Sequence, residues 1–85
     1  MIQTLKLQRK YWEDKTSHRK PWEIRTIKDR IFEVGEMVSF AQVTDDWDRT
    51  LTGVVYGPVR ITYVLGHEDA SIVPEGTCIF THTQA

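Results

Sequence analysis

One cysteine in 85 residues, Cys78, excludes an intramolecular disulfide and a cysteine-based zinc site. No apolar run approaches the roughly 18–20 residues that a membrane helix needs. The opening Met-Ile-Gln-Thr-Leu-Lys-Leu lacks the apolar h-region and the small-residue cleavage site of a signal peptide. No membrane partner is therefore expected, and a reducing cytoplasm is the default location. His18, His67 and His82 stand far apart and show no ligand spacing, so no metal site is expected and each reads as a surface residue. Ser17, Ser39 and Ser71 lie in no nucleophile motif. No catalytic residue and no cofactor are assigned, and enzymatic activity is uncertain, with its absence favoured. Basic residues are scarce after position 30, where only Arg49 and Arg60 stand against eight Asp/Glu; residues 1–30 hold nine Lys/Arg and four Asp/Glu. A split of this kind marks either an anion-binding face or a fold that brings opposite charges together. A pI near 6.3 argues against non-specific duplex-DNA binding but leaves room for local recognition of one phosphate or one nucleotide.

The length allows one domain, 1–85, which buries only about 60–65% of its extended surface. Ile2, Leu5 and Leu7 predict a first strand, with Thr4 and Lys6 on its other face. Residues 8–15 read as a short helix with Tyr11, Trp12 and Lys15 on one side, held by packing because it spans only about two turns. Pro21 biases Lys20 toward an extended backbone, and residues 22–26 form the next strand. Gly35 marks a turn. Residues 37–43 have strand composition with apolar members on both faces. Residues 44–49, the most acidic stretch, read as a hairpin tip, with Trp47 packing back on the protein's own surface. Residues 51–55 and 59–65 read as one strand broken by Gly57-Pro58, with an edge, a bulge or a bend there. Residues 77–82 form the last strand, with Cys78 buried and 83–85 fraying. The expected fold is mainly β (α+β): a small barrel or curled sheet of about five to six strands with one short N-terminal helix.

The most informative stretch is 20–30, Lys-Pro-Trp-Glu-Ile-Arg-Thr-Ile-Lys-Asp-Arg. Strand alternation places Glu23 and Arg25 on one face and Trp22 and Ile24 on the other. Hydropathy assigns Trp22 and Ile24 to the core side. The Glu/Arg face, entered by Lys20, is then either the floor of a polar site or a solvated ion pair. A glutamate beside two cations is stabilised as the carboxylate, which suits an acceptor or positioning role better than a general base near neutral pH. Arg25 supplies a fork for phosphate or a base edge, and Lys20 a point charge. Tyr11 and Trp12 are candidates for stacking a base.

The order Lys20, Glu23, Arg25 resembles the Gly-x-Lys-x-x-Glu-x-Arg signature of ASCH domains, in the PUA-like superfamily, and a small bacterial and phage branch of them in particular. The similarity runs through Leu5-Lys6-Leu7, Tyr11-Trp12, Asp29-Arg30, Phe32, Val34-Gly35-Glu36 and Ile61-Thr62-Tyr63-Val64-Leu65-Gly66, roughly residues 4–66. It implies a PUA-like β-barrel with a helix beside a cleft, and RNA or modified-nucleotide binding in that cleft. The charged trio falls on Lys20, Glu23 and Arg25, with Asp29 and Arg30 in the motif that follows. The chain departs from the pattern at the signature glycine, which is His18 here, at Lys28 in place of an asparagine, and at Thr4 in place of a histidine. One ASCH group deacetylates acetylated cytidine with a threonine where this chain has Glu23, so that activity is not carried over. Three readings follow. The first is an RNA- or nucleotide-binding module using Lys20, Glu23, Arg25, Asp29, Arg30, Tyr11 and Trp12. The second is an inhibitor, of phage origin in this reading, that covers a basic surface of a host protein with Asp45, Asp46, Trp47 and Asp48. The third, least favoured, is a modified-nucleoside hydrolase.

Overall fold

The computed structural model describes residues 2–27 and 30–85, with Thr52 described by its backbone alone. Five strands form one curled sheet: β1 (Gln3–Gln8), β2 (Trp22–Thr26), β3 (Met37–Val43), β4 (Thr50–Gly66) and β5 (Thr77–Gln84), in the spatial order β1-β3-β4-β5-β2. A 3-10 turn (Arg9–Tyr11) leads into the short helix α1 (Trp12–Thr16) between β1 and β2. β1 runs parallel to β3, as a pair joined through an intervening helix and strand can; the other three pairings are antiparallel.

Alternation decides which side chains enter the core. Leu5 and Leu7 of β1, Val38 and Phe40 of β3, Val59 and Ile61 of β4, and Cys78 and Phe80 of β5 all point inward with Phe32, and Phe32 and Phe80 pack with ring centroids 5.0 Å apart. Ile2 is exposed, so the buried face of the first strand begins at Leu5. The long strand expected to break at Gly57-Pro58 runs through that dipeptide as one strand of 17 residues. A Cβ on Gly57 would come within 3.1 Å of the Ser39 Cα and the Val38 carbonyl oxygen, and φ there is +120°, so only glycine lets β4 cross β3 this closely. Irregular register between Val38 and Phe40 and between Ala41 and Val43 takes up the curl. The C-terminal residues expected to fray are paired instead, Thr83 with Arg60 and Gln84 with Val59, because β4 is long enough to give them a partner.

The two ends of the strand order, β1 and β2, approach across a seam with no ladder between them. Side chains span it: Arg25 Nη2 donates to the Lys6 carbonyl oxygen at 2.8 Å, and Arg30 Nη1 donates to the Thr4 carbonyl oxygen at 3.0 Å. Among the described residues no helix is long and apolar enough to cross a membrane.

Candidate functional site

The facing of β2 is the reverse of what hydropathy predicts. Trp22 and Ile24 are on the outside, 41% and 55% exposed, while Glu23 is buried at 3% and Arg25 is half-buried beside it. Register explains the inversion. Glu23 lies opposite Phe80 and Arg25 opposite Cys78, both inward-facing residues of β5. An isolated buried carboxylate would be expelled, but this one has three cationic partners.

Two of those partners were expected. Lys20 Nζ lies 2.6 Å from Glu23 Oε2, and Arg25 holds Oε1 through Nε (3.1 Å) and Nη2 (2.8 Å). The sequence places the third, Lys15, only on one helix face. It is 1% exposed, and its Nζ lies 2.7 Å from Glu23 Oε2. The same ammonium donates to the Trp22 carbonyl oxygen (3.1 Å) and sits 2.7 Å from Nε2 of His82. All three protons of Lys15 therefore have acceptors. His82, expected on the surface, is also buried, because β5 continues the inward series Cys78, Phe80, His82. That period-two pattern and the i, i+3 spacing of Trp12 and Lys15 were the signals that could have found this pair.

Burial and charge set the protonation states. Desolvation lowers Lys15 to about 8 even though Glu23 pulls the other way. Burial alone would raise Glu23, but hydrogen bonds from Lys15 and Lys20 and the charge of Arg25 outweigh it and hold the carboxyl below its ordinary value. Burial, reinforced by the Lys15 charge, lowers His82 to about 4. At neutral pH the cluster is thus three cations, one carboxylate and a neutral imidazole.

Three members of this cluster, Lys20, Glu23 and Arg25, line a cleft of about 310 Å³ at the seam, walled also by Tyr11, Trp22 and Trp47. The Lys20 ammonium sits between two rings, 5.3 Å from the Tyr11 centroid and 4.9 Å from that of Trp22. A neighbouring groove of about 260 Å³ shares Arg25 and Trp47 and adds Arg30 and Lys6. Lys20, Glu23, Arg25, Arg30 and Tyr11 therefore gather along one seam. Trp12 does not join them; it packs on the core, edge-on to Tyr56 at 6.5 Å. Asp29 lies outside the described residues.

The acidic tip lies against the same seam. Asp45 accepts from the Lys10 backbone N–H at 2.7 Å, and the Gln8 side chain donates to the Asp45 carbonyl oxygen, which ties the tip to the end of β1. Asp46 accepts from the Thr44 hydroxyl (2.6 Å) and the Asp48 backbone N–H (2.9 Å), the first of these chiefly holding its carboxyl below the usual range. Asp48 is exposed. Trp47, half exposed, reaches the cleft from this tip on a left-handed backbone, φ +66°. Among the described residues no group of histidine, cysteine and carboxylate side chains could hold a metal ion.

Residues 2–81 match the model of a family described as "Domain of unknown function (DUF3850)", and the chain belongs to that family. No curated protein matches the chain.

Proposed function

We propose that this protein is an RNA- or nucleotide-binding module whose ligand enters the seam cleft. The observation that carries the reading is the charge count at the cleft, where Lys20 and Arg25 line it against the single carboxylate of Glu23, with the buried Lys15 behind that carboxylate. The surplus positive charge calls for an anion, and the walls that surround it are aromatic. Lys20 and Arg25 take a phosphate, Arg30 extends the track along the neighbouring groove, and Tyr11, Trp22 and Trp47 offer faces on which a base stacks. The resemblance to ASCH domains supports the same assignment, since Lys20, Glu23 and Arg25 are its charged trio. So does the backbone of His18, at the position of the signature glycine: its φ is +66°, where glycine fits without strain.

Glu23 orients the cations in this reading. Its two oxygens are held by three donors and its carboxyl is stabilised as the anion, an arrangement that does not favour a general base or a hydrolase. The acidic tip lends less to an inhibitor role, because Asp45 and Asp46 accept bonds from the protein itself.

The test is fluorescence anisotropy with short single-stranded RNA at low salt, comparing the parent with Lys20→Ala/Arg25→Ala. Lys15 keeps Glu23 paired in the double variant, so the fold is expected to survive. Expected are binding that weakens with salt by roughly 0.7 log units per log unit for each phosphate contacted, and its loss in the variant. Absence of binding by the folded parent overturns the proposal.

A further inference from the structure

Lys15 has a second side. Its ammonium meets Glu23 Oε2 toward the cleft and Nε2 of His82 toward a separate pocket of about 310 Å³, lined by Lys15, His18, Tyr56 and His82 with the end of β5. The cleft and this pocket share no lining residue.

The chemistry of the second pocket is that of a donor set. Because the Lys15 ammonium donates to Nε2, the His82 proton resides on Nδ1. Among the described residues only Nε2 of that ring has a hydrogen-bond partner, so the Nδ1–H remains to be used. The Tyr56 hydroxyl and Nδ1 of His18 are 3.5 Å apart, too long for either to be fully engaged by the other. Among the described residues no carboxylate lines the pocket, and the cations of the Glu23 cluster stand behind it. Tyr56 is held in place by its ring, edge-on to Trp12 at 6.5 Å and stacked with Phe40 at 6.4 Å, so its hydroxyl is presented by the core itself.

We infer that this pocket is a second binding site, for a phosphate group, held by His82 Nδ1–H, the Tyr56 hydroxyl and His18 with the Lys15 charge behind them. The phosphate is either free or the terminal group of a nucleotide. Both offer the same acceptor oxygens to these donors. The site stands independently of the seam cleft, so it holds whether or not the cleft takes RNA.

The experiment is a titration of the intact protein at neutral pH, following the histidine ring nitrogens by NMR, with inorganic phosphate and with uridine 5′-monophosphate as separate probes. The expected result is a saturable shift of the His82 nitrogens that persists in Lys20→Ala/Arg25→Ala. Tyr56→Phe keeps the packed ring, and His18→Gly suits the left-handed backbone; each is expected to weaken the response about tenfold. Equal affinity for the two probes assigns free phosphate, and tighter binding of the nucleotide assigns a nucleotide's terminal phosphate. The inference is overturned if neither probe shifts His82, if the shift vanishes in Lys20→Ala/Arg25→Ala while that variant stays folded, or if folded Tyr56→Phe and His18→Gly both respond like the parent.

Discussion

Lys15 and Glu23 meet at 2.7 Å with side chains 0% and 3% exposed, and the two are not equivalent partners. Glu23 has Lys20 at 2.6 Å and Arg25 at 2.8 Å in reserve, whereas Lys15 has no second carboxylate among the described residues. Glu23→Ala strands a buried ammonium and is expected to cost about 3–5 kcal/mol, much of the stability of so small a domain. Lys15→Met keeps Glu23 paired and fills the space of the aliphatic stem, so its cost is expected near 1–2 kcal/mol, mainly from the acceptors it abandons on His82 and Trp22. Urea denaturation of the two variants measures the asymmetry; equal losses would remove the case for a shared carboxylate.

Acid stability should follow His82 first. Its pKa in the fold, about 4, lies below the ordinary 6.5, so between those values the unfolded chain binds a proton that the folded chain refuses. Stability therefore falls as pH drops from 6.5 toward 4. Glu23, whose carboxyl is held below its ordinary 4.5, adds a further loss below that value. His82→Gln leaves a carbonyl acceptor for Lys15 and removes the titration. It is expected to flatten the melting temperature between pH 6.5 and 4.5 while sparing the steeper fall below. On the alkaline side, Lys15, lowered to about 8 from 10.5, makes stability rise with pH across that interval, a slope expected to vanish in Lys15→Met.

Much of the fold was legible because turn chemistry and alternation are local. The strand 37–43, the tip 44–49 and the strand 22–26 stand where their residues place them. The facing of β2 was not legible, since hydropathy assigns Trp22 and Ile24 inward and only the register with Phe80 and Cys78 turns Glu23 and Arg25 toward the core. The continuity of β4 depends on how closely Gly57 passes Ser39, a long-range contact that proline statistics do not contain. At the site, Lys20, Glu23 and Arg25 were visible as a trio. Lys15 and His82 escaped because a lysine and a histidine carry strong surface priors, and only a carboxylate shared across three elements makes their burial tolerable.

Arg25 joins the strand edges as well as the ions. It donates to Glu23 and, from the same guanidinium, to the Lys6 carbonyl oxygen across the seam. Lysine cannot reproduce that planar fork. Arg25→Lys is expected to cost about 1–2 kcal/mol. It should also raise hydrogen exchange in β1 more than in β4, with native-like exchange in β1 arguing against a clasp.

His18 and Trp47 share an uncommon feature, a left-handed backbone with φ +66° on a residue with a side chain. Glycine relieves the clash of Cβ with the following carbonyl, worth roughly 1–2 kcal/mol, and gives part of it back in unfolded-state entropy. His18→Gly is therefore expected to gain about 0.5–1 kcal/mol and to leave RNA binding at the cleft intact, because His18 does not line it. Trp47→Gly relieves the same strain but deletes a wall of the cleft, and Trp47→Ala deletes the wall without the relief. If the Trp47 ring stacks a base, both should lose about 1–3 kcal/mol of binding free energy. They should differ in stability, with the glycine variant about 1 kcal/mol ahead. Binding isotherms paired with denaturation curves separate the two effects. Unchanged affinity in folded Trp47→Gly would confine Trp47 to shaping the tip.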